Sequence, residues 1–281
     1  MSTAPSDSGS ALRSDSGRQV QQFIITILAT WARGEHSVVP VADLIGLMAS
    51  LDVDPPAVRS ALARLKKREV LLSARAGRAA AYELNPRLER IFAEGDARIF
   101  HPQRAAATDP WLVALFTVPE AERSSRHLLR KRLTNLGFGT IAPGSWIAPA
   151  HLLTATKEAL QRDGLDHYVE MFVSRPDDAT CADELRHKVA QWWDLDELHR
   201  QYAEFVTRYA PLHDDHTNGR TTDAAAFATY VRLVTDWRRL PYRDPGLPVA
   251  YLPADWVGLV AEQLFTDLHR QLSAPATALV R

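Results

Sequence analysis

The fold of this chain is most constrained by residues 54–68, which predict one short helix with two different faces. Asp54 is an N-cap residue, because its carboxylate can accept from the free N–H groups of the first turn. Apolar residues recur at the spacing of one buried stripe, namely Val58, Ala61, Leu62 and Leu65. The remaining faces carry charged or small side chains. That combination suits a helix lying in the major groove of DNA, and it equally describes an amphipathic helix with a solvated basic face.

The neighbouring segments favour the DNA-binding alternative. Residues 19–33 predict a helix, and a second short helix begins at Pro40. Three short helices with tight connections are the helix-turn-helix arrangement. Residues 70–75 and 79–84 predict two strands around a turn at Gly77, which is the winged version of that fold. A further helix over residues 86–100 is expected to lead out of this module.

Charge is segregated along the chain. The formal net charge is −1 over 281 residues. Residues 55–90 hold nine Lys or Arg and three acids, a net +6, whereas residues 106–281 hold 19 basic and 23 acidic residues, a net −4. Any nucleic-acid surface is therefore expected to be a local patch near the start of the chain.

We expect the DNA contacts to come from the outer face of the 54–68 helix and from the tip of the wing. Arginine is suited to guanine because its fork can donate to O6 and N7 together, and both arginine and lysine bind phosphate. The predicted DNA-binding residues are Pro56, Arg59, Ser60, Ala63, Arg64, Lys67, Arg75 and Arg78.

The rest of the chain predicts an α+β fold with two further parts. Strands at 111–118, 138–141, 145–148 and 168–174 alternate with helices at 123–136 and 149–162, the β-α-β-β-α-β order of a ferredoxin-like domain. The last third is helical, and its final helix is predicted to begin at Asp255. The predicted division is a disordered tail (1–18), a winged helix-turn-helix (19–100), a ferredoxin-like domain (108–176) and an all-helical C-terminal domain (177–281).

Cysteine usage and hydropathy indicate the compartment. Cys181 is the only cysteine, which excludes an intramolecular disulfide and a multi-cysteine zinc site. No apolar run approaches the ~18 residues of a membrane span, and the N-terminus lacks a signal-peptide layout. We therefore expect a cytoplasmic protein.

A basic helix and several tryptophans are candidates for an effector site. Arg123, Arg126 and Arg130 are spaced by three and four residues, so they share one helix face that could hold phosphate groups. Trp146, Trp192 and Trp237 could line an aromatic pocket. The alternatives are a solvated or dimer-facing helix side for the arginines and ordinary core positions for the tryptophans.

No residue is predicted to be catalytic or to bind a metal. The His213–His216 group lies in a predicted polar loop without a third fixed ligand. The ferredoxin-like order raises a metal-dependent nuclease as an alternative function, but strand 111–118 contains no carboxylate for Mg²⁺. A DNA-binding protein without a ligand is the other alternative.

Several stretches together resemble the PaaX family of phenylacetic-acid-degradation operon repressors. Near the start these are residues 58–65, Gly77-Arg78, Tyr82-Glu83-Leu84 and residues 97–100. In the middle they are Val118-Pro119-Glu120, Arg123, Arg126, Leu129-Arg130, Leu133, Gly137-Phe138-Gly139 and residues 146–149. Near the end they are residues 237–241, Asp244-Pro245, Leu247-Pro248, Leu252-Pro253 and Asp255-Trp256. The similarity covers about residues 20–272 in the expected order.

The resemblance implies a homodimeric repressor of a phenylacetate-type catabolic operon. It implies a central domain akin to CRISPR-associated small nucleases and a partly palindromic double-stranded operator. It implies no resident cofactor and an aryl-acyl-CoA effector, phenylacetyl-CoA in the best-known members. This chain departs from the family in the run from Arg64 to Leu71, where a small residue and Trp are more usual before the last Leu, so a shared operator sequence is not implied.

Overall fold

In the part of the chain that the structure describes, ten α-helices and two small antiparallel sheets form an α+β fold, as the sequence predicts. The structure, a computed structural model, describes residues 8–34, 37–176, 181–217 and 222–280, with side chains from residue 16 and not at 214–217. The elements are α1 (Ser8–Trp31), β1 (Val39–Pro40), α2 (Val41–Ala49), α3 (Pro55–Lys67), β2 (Leu71–Ala76), β3 (Ala79–Leu84), α4 (Glu89–Phe100), β4 (Trp111–Phe116), α5 (Arg123–Asn135), β5 (Gly139–Ala142), β6 (Ser145–Pro149), α6 (Leu153–Asp163), β7 (Val169–Ser174), α7 (Ala182–Trp192), α8 (Leu195–Thr217), α9 (Asp223–Trp237) and α10 (Gly258–Val280).

The chain divides into two units that do not follow the predicted three domains. Unit 1 comprises Met1–Ala93, Pro211–Asp236 and Phe265–Arg281, and unit 2 comprises Glu94–Ala210 and Trp237–Leu264. Helices α4, α8, α9 and α10 each contribute residues to both units. The helical last third is thus shared between the units, because its apolar faces pack against both the N-terminal and the central segments. The three-part division remains a prediction about sequence modules.

Unit 1 contains the predicted three helices and hairpin. Its sheet has the order β1-β3-β2, and β2 pairs with β3 from Leu71–Leu84 to Ala76–Ala79. Gly77 and Arg78 form a two-residue loop, and Gly77 has φ 61°. Short hairpin loops need a positive φ, which glycine adopts without steric cost.

The core of unit 1 joins α1 to segments from the end of the chain. The hydroxyls of Thr26 and Thr235 lie 2.7 Å apart in a hydrogen bond, and both residues are buried. The indole N–H of Trp31 donates to Thr277 Oγ1 at 3.0 Å, and its ring packs beside Phe227. Helix α9 and the end of α10 are therefore structural parts of the unit that holds α3.

The first helix is longer than predicted. The disordered tail predicted over residues 1–18 does not hold for residues 8–18, because α1 begins at Ser8; residues 1–7 lie outside the described part. Once packing has anchored a helix, each residue added to its end gains one hydrogen bond, and no new nucleation cost arises. A stretch rich in Ser, Gly and Asp can continue a helix under that condition.

Unit 2 has the predicted β-α-β-β-α-β order in the chain. Its sheet runs β5-β6-β4-β7 with antiparallel neighbours, so β4 is central and β7 is an edge strand. Directly paired residues share a face. Leu112 and Ala114 of β4 face the core with Leu129 and Leu133 of α5 and Leu160 of α6. Helices α5 and α6 thus pack on one face of this sheet.

A buried ionic network fixes the proline-rich connection after α9. Asp244 accepts from the guanidinium of Arg104 at 3.1 Å, from the Tyr202 hydroxyl at 3.1 Å and from the backbone N–H of Gly246 at 2.8 Å. Arg104 also bonds to Glu262. Burial raises the pKa of Tyr202 well above its usual value, so its hydroxyl stays a donor. The network gives a structural reason for the Asp244-Pro245 motif.

Two boundaries in the last third differ from the predictions. Helix α8 continues through the predicted polar loop as far as Thr217, while residues 218–221 lie outside the described part. Helix α10 begins at Gly258 instead of Asp255, because the N–H of Trp256 closes a turn on Pro253. Among the described helices, none is long and apolar enough to cross a membrane.

Candidate functional site

Helix α3 has the capping and the two faces that the sequence predicts. Asp54 Oδ1 accepts from the backbone N–H of Ala57 at 2.7 Å, and Pro55 and Pro56 occupy the first turn. The predicted stripe of Val58, Ala61, Leu62 and Leu65 is buried. The helix is thereby fixed on its inner side, and its orientation leaves the opposite side open.

All predicted DNA-binding residues of α3 lie on the open side. Pro56, Arg59, Ser60, Ala63, Arg64 and Lys67 are exposed. Within the described ranges, the charged groups of Arg59, Arg64 and Lys67 form no ion pair or hydrogen bond. Unpaired surface arginines and lysines are the groups that bind phosphate and base edges. DNA contact by these residues remains a prediction.

The C-terminal end of α3 is closed by a Schellman motif that lacks the usual glycine. The N–H of Val70 donates to Leu65 O at 3.0 Å, and the N–H of Glu69 donates to Lys66 O at 2.9 Å. Glu69 occupies the left-handed position with φ 56°, and Asn85 Nδ2 donates to its carbonyl at 2.8 Å. This end therefore directs the chain sharply from α3 into β2.

The wing presents its two arginines to solvent. Arg75 pairs with Ala80 near the end of β2, and Arg78 lies in the two-residue loop. Both side chains are exposed, and neither is engaged by another described residue. The alanines of the hairpin leave the two guanidinium groups as its only large polar groups near the tip.

The turn between α2 and α3 is held from α9. Asp52 adopts a left-handed conformation with φ 62°. Arg232 Nη2 donates to the Asp52 carboxylate at 3.0 Å and to Leu51 O at 3.3 Å. Since this turn sets the direction of α3, Arg232 is a positioning residue that sequence analysis did not identify.

Three of the six predicted effector residues meet at one cavity in unit 2. The cavity has a volume of about 340 Å³ and lies between the end of β4, helix α5 and the β5–β6 hairpin. Arg126, Arg130 and Trp146 line it together with Phe116 and the Pro143-Gly144 turn. Trp146 pairs with Ala114 and Thr140, so it lies on the helix-covered face of the sheet.

The other three predicted effector residues lie elsewhere. Arg123 is exposed outside the cavity and pairs with Glu120, with Nε to Oε1 at 2.9 Å. Trp192 packs edge-on against Trp111, and Trp237 is only 1% exposed with its indole N–H on Ile99 O at 2.9 Å. The six residues therefore do not share this cavity, because the two tryptophans belong to separate aromatic packing clusters.

The structure adds basic groups that were not selected from the sequence. Lys66 and Arg68 are exposed at the end of α3. The consecutive basic residues Lys66-Lys67-Arg68 could have identified them from the sequence. A Cβ on Gly17 would lie 2.8 Å from Arg64 Nη1, so α1 passes close to the basic face of α3. The neighbouring Arg18 is exposed. Sequence analysis did not select Arg18 because it assigned residues 1–18 to a disordered tail.

Three sequence profiles of one family match the chain in order. The profile described as PaaX-like protein matches residues 19–88. The PaaX protein central Cas2-like domain matches residues 104–186, and the PaaX-like protein C-terminal domain matches residues 193–281. The chain belongs to the PaaX family. The resemblance seen in the sequence is thereby confirmed.

Two further similarities accompany the profile matches. The transcriptional repressor PaaX of Escherichia coli (strain K12) is 28% identical over 242 residues, which are 85% of this chain and 76% of that protein. The solved structure of the uncharacterized protein Rv0674 from Mycobacterium tuberculosis has a TM-score of 0.58 and 22% identity, covering 90% of this chain and 96% of its own. At that identity the second similarity concerns the fold alone.

Proposed function

We propose that this chain is a DNA-binding transcriptional repressor that binds through a winged helix-turn-helix formed by α1–α3 and the β2–β3 hairpin. The observation that carries the proposal is the combination in α3 of a buried apolar stripe and an outer face whose Arg59, Arg64 and Lys67 have no partner among the described residues. Such a helix can enter the major groove while the wing arginines reach phosphate or the minor groove. The repressor name of the E. coli relative supports the same function.

The finer proposal is that an aryl-acyl-CoA, such as phenylacetyl-CoA, releases the chain from the operator of a phenylacetate-type catabolic operon. Family membership supports it, together with the cavity that contains Arg126 and Arg130. An inducer must bind the DNA-incompetent state more tightly than the competent one, since a ligand with equal affinity shifts no equilibrium. We propose no catalytic role, because β4 carries no carboxylate for a metal.

We also propose that the chain acts as a homodimer on a partly palindromic site. A symmetric dimer places two recognition helices on two half-sites. The central domain, which we assign as ferredoxin-like, offers an unpaired edge strand in β7 with Phe172 and Val173 about half exposed. Light scattering after size-exclusion chromatography is expected to give the mass of a dimer. If the β7 edge forms the dimer contact, Phe172→Glu is expected to lower that mass.

A gel shift on the DNA upstream of this chain's gene tests the function. The titrants are phenylacetyl-CoA and free phenylacetate, and the matched control is a shuffled duplex of equal length and composition. We expect the chain to bind the upstream DNA, and we expect phenylacetyl-CoA to release the chain from that DNA. Binding released by neither titrant would contradict the effector proposal and favour a ligand-independent DNA-binding protein. Equal binding to both duplexes would contradict a sequence-specific repressor.

A further inference from the structure

The cavity beside α5 concentrates positive charge. Of its described lining residues, Arg126 and Arg130 are charged and neither Asp nor Glu is present. Within the described part, the guanidinium of Arg130 has no hydrogen-bond or ion-pair partner. Arg126 pairs with Glu120, whose Oε2 lies 3.4 Å from both terminal nitrogens of the guanidinium. Glu120 is held more closely by Arg123, so the charge in the cavity is not neutralised.

One arginine of the positively charged wall, Arg126, and the β5–β6 turn are held in place before any ligand arrives. Arg126 Nη2 donates to Val118 O at 2.7 Å, which anchors that side chain to the end of β4. The β5–β6 turn is tied to the same strand, because the N–H of Phe116 donates to Gly144 O at 2.9 Å. Gly144 has φ 83°, and a Cβ there would lie 3.1 Å from Phe116 O. Preorganised donors bind an anion without a further ordering cost.

The remaining walls are apolar and aromatic. Phe116 and Pro143 contribute to the lining, and Trp146 is 6% exposed. The indole N–H of Trp146 has no hydrogen-bond partner in the described part of the chain. A pair of guanidinium groups beside aromatic rings matches an anion that carries an apolar body.

We propose that this cavity binds an anionic group between Arg126 and Arg130 and packs an attached apolar or aromatic part against Phe116 and Trp146. This proposal rests on the proposed function, since it places the effector of the repressor in the central domain. The cavity volume of about 340 Å³ is near the lower end of the range for small-molecule pockets. It therefore suits a small aromatic carboxylate, or one phosphate-bearing end of a larger thioester.

Direct calorimetric titration without DNA tests the site. The probes are phenylacetate, phenylacetyl-CoA and CoA, and the variants are Arg130→Gln and Lys131→Gln. These two changes remove one positive charge each from the same helix, but the exposed Lys131 does not line the cavity. We expect Arg130→Gln to weaken binding by about tenfold, the loss of one charge-assisted hydrogen bond, and Lys131→Gln to leave it within about twofold.

The probes distinguish the two sources of the anion. Binding of phenylacetate indicates a carboxylate in the cavity, whereas competition by CoA alone indicates phosphate. A cavity-filling variant, Ala142→Leu, changes no charge and is expected to reduce binding of the same probe. Failure of all three probes to bind the native chain would overturn the proposal. Equal weakening by Arg130→Gln and Lys131→Gln would also overturn it.

The test of the cavity and the test of the repressor function can fail independently. Arg130→Gln is expected to bind upstream DNA as tightly as the native chain in the absence of ligand. Ligand binding without sequence-specific DNA binding would refute the repressor function and leave the cavity assignment intact. DNA binding that survives while every probe fails would refute the cavity alone.

Discussion

Arg232 reaches from α9 to the carboxylate of Asp52, with Nη2 3.0 Å from Oδ2, and so holds the turn that precedes α3. The same nitrogen lies 3.3 Å from the carbonyl of Leu51. The exposed ion pair adds little stability by itself, since such pairs contribute about 0–1 kcal/mol. Its consequence is geometric, because Asp52 has a left-handed conformation that an unanchored aspartate seldom adopts.

We expect Arg232→Gln to weaken DNA binding by about two- to fivefold, which corresponds to ~0.5–1 kcal/mol spent on reordering the turn. Gel shifts measure the change in DNA affinity, and thermal unfolding measures the change in stability. The control is Arg270→Gln, which removes a charge in unit 1 but breaks only a contact within α10 to Asp267. An equal loss of DNA affinity in both variants would show a general charge effect instead of a positioning role.

Removal of Arg59 or Arg64 is expected to weaken DNA binding without unfolding the chain. Both side chains are exposed, so replacement by alanine is expected to change the free energy of unfolding by less than ~0.5 kcal/mol. A lost base contact costs ~1–3 kcal/mol of binding, and a lost phosphate contact lowers the salt slope by about 0.9. Gel shifts at several salt concentrations separate these cases. Arg123→Ala is the control, and unchanged binding in the α3 variants would contradict the assignment of that helix.

Glu69 combines an unfavourable conformation with an unfavourable charge at the end of α3. A left-handed non-glycine residue costs ~1–2 kcal/mol, and glycine regains part of this while losing ~0.5–1 kcal/mol of backbone entropy. We expect Glu69→Gly to stabilise the chain by up to ~1 kcal/mol and to tighten DNA binding. Glu69→Gln keeps the strain and removes only the charge. If the glutamine variant is equally stabilised in denaturant unfolding, the strain argument is wrong.

The buried hydroxyl pair of Thr26 and Thr235 links α1 to α9. Thr26→Val removes one partner and leaves the other buried hydroxyl without it, which costs ~1–3 kcal/mol. Replacing both threonines by valine removes both polar groups and is expected to cost less than the two single changes combined. Denaturant unfolding of the four proteins forms the double-mutant cycle. Strict additivity would show that the two hydroxyls do not interact.

Local signals predicted the elements that carry the proposed DNA interface. The Asp54 cap, the stripe from Val58 to Leu65 and the Gly77 turn each depend on residues close in sequence, and the structure has all three. The order of strands and helices in unit 2 follows from the same kind of local pattern. Such patterns are readable because capping, periodicity and turn chemistry act over a few residues.

Long-range packing decided what could not be predicted. The start of α1 at Ser8 depends on an anchored helix, and the contact of Arg232 with Asp52 joins residues 180 positions apart. Trp146 and Trp237 are alike in sequence terms, yet one lines the cavity and the other fills a core beside Phe205. Residue type and spacing do not encode which aromatic ring meets which neighbour.

The contacts of Trp31 with Phe227 and Thr277 have a consequence for synthesis on the ribosome. The first 93 residues emerge early, but the side chains that complete their core are translated near the end. The nascent N-terminal segment must therefore wait, incompletely packed, until the final helix has left the exit tunnel. A nonsense codon in the last few dozen positions would spare every residue of α3 and still deprive the product of its folded form.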